Sequence, residues 1–331
     1  MIQVNPFIFS SYSRGSTEIA HDCGAPFKTL TVNLDGNCFL CICDAWLPVS
    51  VGNILDFESL SDIWNNPIAQ ELQQTVKDRK FTYCAVDTCG VRYKNIRTPH
   101  YRINFAIDDS CNLACPSCRV GAINYTEGPV FEHKLAQVNH FVKLINEFTK
   151  PMSIVMTGNG DPLASLIMRP LVLNWKPKSI QNVILFTNGL LMKKLLPDSN
   201  ILPNIREFQI SVDAGSKDVY EVVRRPGRFD VLQDNLSWLS KTRRPNINVI
   251  LKFVLQSKNF NDLENFSNMC LEYGFVGEVS KIDNWNTFKD FDSHDVIGNK
   301  QHPNHELAVQ KLLEISTYKH ITIGSSLKRV L

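Results

Sequence analysis

The sequence lacks any apolar run long enough to cross a bilayer, so no membrane span or membrane partner is expected. It also lacks an excess of either charge: 35 Lys and Arg against 33 Asp and Glu leave a formal net charge of +2. Proteins that coat nucleic acid carry a concentrated basic excess. A nucleic-acid partner is therefore not expected, although a local basic patch stays open. Met1–Ser10 has neither the basic start nor the apolar core of a secretory signal, and the expected compartment is the cytoplasm. There is no internal repeat and no low-complexity segment. Histidine is sparse, with eight in the chain, and cysteine is nearly absent beyond residue 118, where only Cys270 remains.

What is abundant is cysteine in the first third. The ten cysteines stand at 23, 38, 41, 43, 84, 89, 111, 115, 118 and 270. In a secreted chain they would read as disulfides; in a reducing compartment, close spacing points to metal binding or redox chemistry. Nine of the ten lie within residues 1–118, which favours two metal sites over scattered core thiols.

The chain divides by texture. Residues 1–99 read as a small Cys-rich module. Thr29–Leu34 alternates weakly, Asp35-Gly36 is a hairpin signal, and a second strand is expected over Cys38–Cys43. Leu60, Ile63, Trp64, Ile68 and Leu72 predict one helix over Leu60–Val76. Residues 91–99 read as a linker. Over residues 100–285, short β-rich runs alternate with helical patterns. Strands are expected at Arg102–Ile107, Ser153–Thr157, Asn182–Phe186, Glu207–Val212, Asn248–Leu255 and Gly277–Ile282. Helices are expected at Val130–Phe148, Leu163–Leu173, Asp230–Lys241 and Asp262–Tyr273. This succession implies an α/β fold with a parallel sheet, and six units predict a partial (β/α)6 TIM-like barrel. Residues 286–331 form a short tail with one helix, Glu306–Ser316. Cys270 reads as a core thiol, and His302 and His305 as polar residues near a helix start that could also meet a metal.

After the first expected barrel strand comes Cys111-Asn-Leu-Ala-Cys115-Pro-Ser-Cys118, a C-x3-C-x2-C loop. Three thiolates at this spacing can hold one face of an iron–sulfur cube. Full ligation takes four, so one iron keeps an open position. Zinc is the competing metal, but His100 and His133 do not stand at short finger spacing. The loop also sits at the C-terminal end of a strand, where β/α barrels build active sites.

These three cysteines match the signature of the radical S-adenosylmethionine (SAM) superfamily, and residues 101–283 resemble its core. The resemblance implies a 4Fe–4S cluster whose open iron binds SAM. One electron would then cleave SAM reductively to methionine and a 5′-deoxyadenosyl radical, giving Cys111, Cys115 and Cys118 the catalytic role. It also implies SAM-binding residues at the following strand ends. Gly158-Asn159-Gly160-Asp161-Pro162 resembles the family's G-G-E-P motif, with Asn159 and Asp161 as departures from it. Thr187-Asn188-Gly189 resembles another SAM-contacting element. Ser211 and Asp213, two apart on one strand face, could bond SAM or substrate, or cap the following helix, as could Ser216. Arg224, in a cluster with Arg225 and Arg228, could clamp the SAM carboxylate, and Gln256 is a weaker candidate of the same kind.

Cys23, Gly36 and Cys41 stand as C-x12-G-x4-C, followed by Val51-Gly-Asn-Ile54, Leu60 with Ile63-Trp64, and Cys84 and Cys89. This resembles the SPASM and Twitch modules that carry auxiliary clusters in radical SAM enzymes. The resemblance implies a second 4Fe–4S cluster on Cys23, Cys41, Cys84 and Cys89, the single-cluster Twitch type fitting the cysteine count. Here the module precedes the barrel, and its closing pair is C-x4-C. Cys38 and Cys43 compete with Cys41, and four-cysteine zinc competes with iron. Members with such modules modify peptides or proteins, which sets the leading substrate class. A nucleoside, RNA or small metabolite stays open, as does a non-enzymatic zinc protein that binds a partner. An electron donor such as flavodoxin or ferredoxin is the other expected partner.

Overall fold

The computed structural model describes residues 15, 19–86, 89–92 and 94–328. The absence of a signal in Met1–Ser10 therefore concerns residues outside those described. The fold is mixed α/β with a mostly parallel sheet. The chain forms two compact units, residues 1–109 with 125–184 and residues 110–124 with 185–331.

In the first unit, β1 (Thr29–Val32), β2 (Asn37–Phe39), β3 (Ser50–Asn53), β4 (Tyr101–Phe105) and β5 (Met152–Met156) lie in the order β3-β2-β1-β4-β5. The β1-β2-β3 part is antiparallel, and β1, β4 and β5 run parallel. All four residues of β1 are buried, the pattern of a strand covered on both faces, which is why its sequence alternates so weakly. The β1–β2 turn packs against the helix that carries Gln137. Gly36 has φ +81°, and a Cβ there would lie 2.0 Å from Gln137 Nε2. That amide donates to the Asp35 carbonyl at 3.0 Å. The glycine is therefore required twice, by its left-handed backbone and by this contact. β2 ends at Phe39, not at Cys43 as expected. Leu40–Cys43 bends out of the ladder, so strand alternation does not decide which cysteine faces which way.

The single helix expected over Leu60–Val76 is two, α1 (Leu60–Asn65) and α2 (Pro67–Lys77). Proline disfavours helical geometry in the residue before it. Asn66 accordingly sits at φ −72°, ψ 162°, and its side chain caps Ala69 N at 3.0 Å. Helix α3 (Pro129–Glu147) starts on a proline and buries Val138, Phe141, Leu144 and Ile145; Phe141 stacks on Phe105 at 4.0 Å. The helix expected over Leu163–Leu173 is absent. A turn held by Asp161 is followed by one wide π-type turn, Pro170–Asn174. Pro170 brings no N–H to the interior of the expected helix, and its ring clashes with the preceding turn.

β6 (Gln181–Thr187) carries the chain from the first unit into the second. There β7 (Ile205–Ser211), β8 (Asn248–Leu255), β9 (Val276–Lys281) and β10 (Ile321–Ile323) follow in sheet order β6-β7-β8-β9-β10. The β7–β8, β8–β9 and β9–β10 pairs are parallel. Helices α4 (Lys217–Val223), α5 (Phe229–Thr242), α6 (Leu263–Tyr273) and α7 (His305–Ser316) complete the unit. The tail expected to be helical thus also supplies a strand, β10. The six expected barrel strands match β4 to β9 within two residues at each end. In β8, buried Val249, Leu251, Phe253 and Leu255 alternate with half-exposed Ile250, Lys252 and Val254, so one sheet face packs on helices while the other stays accessible. Phe253 meets Phe266 of α6 at 4.9 Å, and Cys270 is wholly buried, in the core position expected of it. No helix among the described residues is long and apolar enough to cross a membrane.

The Gly36 contact yields a test. Gly36→Ala should destabilise the protein by about 1–3 kcal/mol, from the left-handed φ and the overpacking against Gln137. Urea unfolding should show a lower midpoint at unchanged slope; an unchanged midpoint would mean that the turn does not pack on α3.

Candidate functional site

In the second unit, residues 110–124 form the three-cysteine loop. Its two ends are tied by Cys111 N donating to the Ile123 carbonyl at 2.8 Å. The Cys115 carbonyl accepts from both Cys118 N at 2.9 Å and Arg119 N at 3.0 Å, so Cys115 and Cys118 share one tight turn. Ala114 is clasped at both ends by Arg225: its N–H donates to the Arg225 carbonyl at 2.8 Å, and its carbonyl accepts from Arg225 Nε at 3.1 Å. Cys115 is buried, Cys111 half-buried and Cys118 exposed.

Each of the three sulfurs accepts a hydrogen bond from a different side chain. Asn188 Nδ2, just past β6, lies 3.8 Å from Cys111 Sγ, which also accepts from Leu113 N at 3.4 Å. Arg224 Nη1, at the end of α4, lies 3.5 Å from Cys115 Sγ. Arg119 Nη2 lies 3.6 Å from Cys118 Sγ. Donors directed at sulfur favour thiolate over thiol and are what surrounds the ligands of a metal centre. The donor set thus fits an iron–sulfur cluster: three soft sulfur ligands, each supported from behind.

Arg224 is 12% exposed at its side chain, and its charge is met within the protein. Asp213 Oδ2 lies 2.9 Å from Arg224 Nε, off the N–H axis, so this is a charge contact and not an aligned hydrogen bond. The other oxygen of Asp213 accepts from Val254 N at 2.7 Å. Asp213 has φ +59°, a left-handed conformation that Asp tolerates better than bulkier residues. Burial pushes its carboxyl above the usual carboxylate range while Arg224 pulls it back, and Asp213 and Cys115 together hold Arg224 firmly protonated. The helix that delivers Arg224 is capped from α6's approach: Asp262 Oδ2 accepts from Gly215 N at 2.6 Å and Ser216 N at 2.9 Å. Neither Asp213 nor the Ser216 side chain performs that capping. Gly215 leaves no room for a Cβ, which would stand 2.1 Å from Phe266 N.

The remaining second-unit candidates divide. Thr187 is buried and its Oγ1 accepts from Gly189 N at 3.1 Å, fixing the turn after β6. Asn188 also donates to Asn112 Oδ1 at 2.8 Å. Ser211 is half-buried at the end of β7. The Gln256 amide nitrogen is buried without a partner at the end of β8. Arg228 is exposed and pairs with Asp230 at 2.5 Å, a surface contact. His302 and His305 are spent on loop bonds, His302 Nε2 with the Ser293 carbonyl at 3.2 Å and His305 Nδ1 with the Val296 carbonyl at 3.1 Å. Sequence reading missed Arg119, Asn112 and Asp262. Adjacency to Cys118 was the only available signal for Arg119.

In the first unit, the Gly158–Asp161 loop follows β5. Gly158 has φ +138°, and a Cβ on it would come within 3.0 Å of the Asp108 carbonyl, so the close backbone approach here is to the chain itself. Asp161 is buried, and its Oδ1 accepts from Leu163 N at 2.9 Å and Ala164 N at 3.3 Å. Asn159 is exposed and Gly160 half-buried.

The cysteines of the first unit also converge. Cys23, Cys84 and Cys89 pack at the edge of a cluster formed by Ile19, Val76, Phe81, Val86 and Val91. Cys41 lies close enough to Cys23 and Cys89 for their charges to act on its thiol. Burial, with those charges, pushes Cys41 up to about 12, and burial pushes Cys23 up to about 11. Such thiols stay protonated at neutral pH until a metal displaces the protons. The Thr31 hydroxyl donates to the Cys41 carbonyl at 2.7 Å and accepts from Asn104 Nδ2 of β4 at 3.1 Å, which anchors Cys41 to the sheet. Cys38 is fully buried, and its nearest charge is Asp56, so it stands apart from the group. Cys43 is half-buried beside Cys41. Among the described residues, no three Cys, His, Asp or Glu side chains gather tightly enough for a single metal ion. A four-iron cube spreads its thiolates wider than one ion does.

Residues 23–90 match the family model of SPASM, an iron–sulfur cluster-binding domain. The matched span contains Cys23, Cys41, Cys84 and Cys89. No curated protein matches the chain. Among solved structures it is similar to Streptococcus suis SuiB bound to S-adenosylmethionine, at 12% identity over 67% of this chain and 49% of that one, with a TM-score of 0.44. It is similar to TYW1 with a lysine-pyruvate adduct bound, at 16% identity, 67% and 72% coverage and a TM-score of 0.40. It is also similar to native anSMEcpe with bound AdoMet and Cp18Cys peptide, at 17% identity, 55% and 51% coverage and a TM-score of 0.38. The chain spans about half the length of the SuiB structures. Likenesses this loose fix neither a substrate nor a reaction.

The placement of the thiols separates Cys38 from Cys41. Cys41→Ala should lower the iron of the anaerobically reconstituted protein by about half, the share of one cube of two. Cys38→Ala should leave the iron unchanged. Iron analysis of the two variants checks this, and loss of iron from Cys38→Ala alone would reverse the assignment.

Proposed function

We propose that this chain is a radical SAM enzyme. It would hold a 4Fe–4S cluster on Cys111, Cys115 and Cys118 and an auxiliary 4Fe–4S cluster on Cys23, Cys41, Cys84 and Cys89. The observation that carries the reading is the dressing of all three loop sulfurs by separate side-chain donors, two of them arginines. Three dressed thiolates and no fourth cysteine in the loop match a cluster that keeps one iron open for a ligand. The SPASM family match over residues 23–90 supports the auxiliary site independently. When bound, such a cluster supplies the electron that cleaves SAM reductively, giving methionine and a carbon radical able to abstract hydrogen.

The chain's own residues would bind and orient. Cys111, Cys115 and Cys118 supply the ligands, and the Ala114–Arg225 clasp keeps their loop in place. In the first unit, the Gly158–Asp161 loop offers backbone carbonyls, since Asp161's carboxylate already serves its own turn. Ser211 presents a polar group at a strand end for the ribose or carboxylate, while Thr187 fixes the turn after β6 and Asn188 supports the Cys111 sulfur. Arg224, expected from sequence to clamp the SAM carboxylate, is already directed at Cys115 and Asp213, and the role we assign it is to support the sulfur.

The substrate class inferred from the module type is a peptide or protein. The half-exposed face of β8 and its neighbours offers polar groups to such a substrate, among them the Lys252–Glu278 pair. A low-potential one-electron donor, such as flavodoxin or ferredoxin, would complete the cycle.

The test is anaerobic. Reconstituted protein should be brown, with about eight irons per chain if both sites hold cubes, and should release 5′-deoxyadenosine when given SAM and dithionite. Cys115→Ala should reduce that product by at least 100-fold, to the level without enzyme. Colourless protein holding zinc, or undiminished product from Cys115→Ala, would sink the proposal.

A further inference from the structure

We infer that the buried Asp213–Arg224 pair sets the reduction potential of the cluster on the three-cysteine loop, acting through Cys115, with Asp213 as a positioning residue that tempers the charge of Arg224. The inference rests on the proposed function and goes beyond it by assigning an electrostatic control to two residues to which that function gives no contact with substrate or SAM.

The geometry is a short relay inside the second unit. Arg224 Nη1 donates to Cys115 Sγ at 3.5 Å, while Nε of the same guanidinium lies 2.9 Å from Asp213 Oδ2. Asp213 is 3% exposed and Cys115 5% exposed. Water therefore screens the two charges weakly, and each is felt at the sulfur more strongly than a surface charge would be. Asp213 is held on its other side by Val254 N at 2.7 Å, and its backbone carbonyl accepts from Asn259 Nδ2 at 2.9 Å, so its distance from the guanidinium is fixed by β8 and the loop after it. The other two sulfurs are dressed differently: Cys111 receives a neutral amide, and Cys118, which receives Arg119, is exposed. Cys115 combines burial, a cation and a counter-anion.

The electron count is simple. Reduction adds one electron from a low-potential one-electron donor, dithionite in the test, and no bond at Cys115 forms or breaks. The added negative charge is stabilised by a nearby cation and by a hydrogen bond to the ligand sulfur. Arg224 therefore raises the potential, and Asp213, by neutralising part of that cation, lowers it. The two members of one ion pair are predicted to act with opposite sign.

The experiment is an EPR-monitored redox titration of the full-length reconstituted protein, reading the signal that changes when SAM is added. Asp213→Asn keeps an acceptor for Val254 N and removes the anion; it should make the cluster at least tenfold easier to reduce at a given potential, 59 mV upward for one electron. Arg224→Gln should make it at least tenfold harder, a shift of the same size downward. The double variant should return to within about threefold of wild type, a smaller departure than either single variant shows. Arg228→Gln, an exposed charge change nearby in sequence, should leave the potential in place. Shifts in the same direction for both single variants, or none, would overturn the inference while leaving the enzyme assignment standing. If Arg224→Gln fails to retain iron, Asp213→Asn decides alone, since a merely structural aspartate gives no upward shift. Wild-type protein without a SAM-responsive signal would instead overturn the enzyme assignment and this inference together.

Discussion

A guanidinium inside a protein is tolerable only where its charge is met, and Arg224 is met by a carboxylate on one side and a cysteine sulfur on the other. Taking such a pair out of water carries a penalty of several kcal/mol per ion, which is repaid only by close geometry and further hydrogen bonds. The second unit supplies both. β8 presents Val254 N to Asp213, Asn259 holds the Asp213 carbonyl, and Asp262 caps the helix whose last turn delivers Arg224. Asp213 accepts a left-handed backbone to reach this position. Strain of this kind persists where the surroundings over-determine it, and it concentrates at functional sites.

The same logic explains why the three-cysteine loop can be irregular without being loose. It has no helix or strand of its own; its order comes from clasps at either end and in the middle. Cys111 is tied to Ile123, Cys115 to the turn through Cys118 and Arg119, and Ala114 to Arg225 by two bonds in opposite directions. A loop pinned this way presents its sulfurs before any metal arrives, which lowers the ordering entropy that binding must overcome. The first-unit thiols follow a different scheme. Burial holds the protons on Cys23 and Cys41, so a metal binding there would have to displace them.

Much of this was legible in the sequence, for physical reasons that also mark where legibility stopped. The strands β4 to β9 could be placed within two residues because apolar alternation and β-branched runs are local signals. The β1–β4 pairing could not, since which distant strands become neighbours is not written in either one's pattern. Leu163, Ile167 and Leu171 have helical spacing, but Pro170 and the Asp161 turn override it. Pro67 divides the helix although the apolar stripe runs through it. At the site, residue types and strand ends were readable while partners were not. Asn188, Asp213 and Arg224 all stood out as polar groups at strand or helix ends. That Asn188 and Arg224 turn toward cysteine sulfurs, and Asp213 toward Arg224, depends on rotamers and on neighbours far away in sequence.

Arg224 meets its partners inside the protein, not at a ligand. A residue reserved for a ligand's carboxylate acts when that ligand binds; a residue fixed on a cysteine sulfur acts on that sulfur at all times. The buried carboxylate and guanidinium are locked by backbone bonds that no ligand needs to form, so their effect is a standing property of the fold. Cys118, with Arg119 beside it, is the most exposed of the three sulfurs. The loop thus divides its labour by burial. Its inner sulfur is set electrostatically by the protein, and its outer sulfur faces whatever arrives from solution.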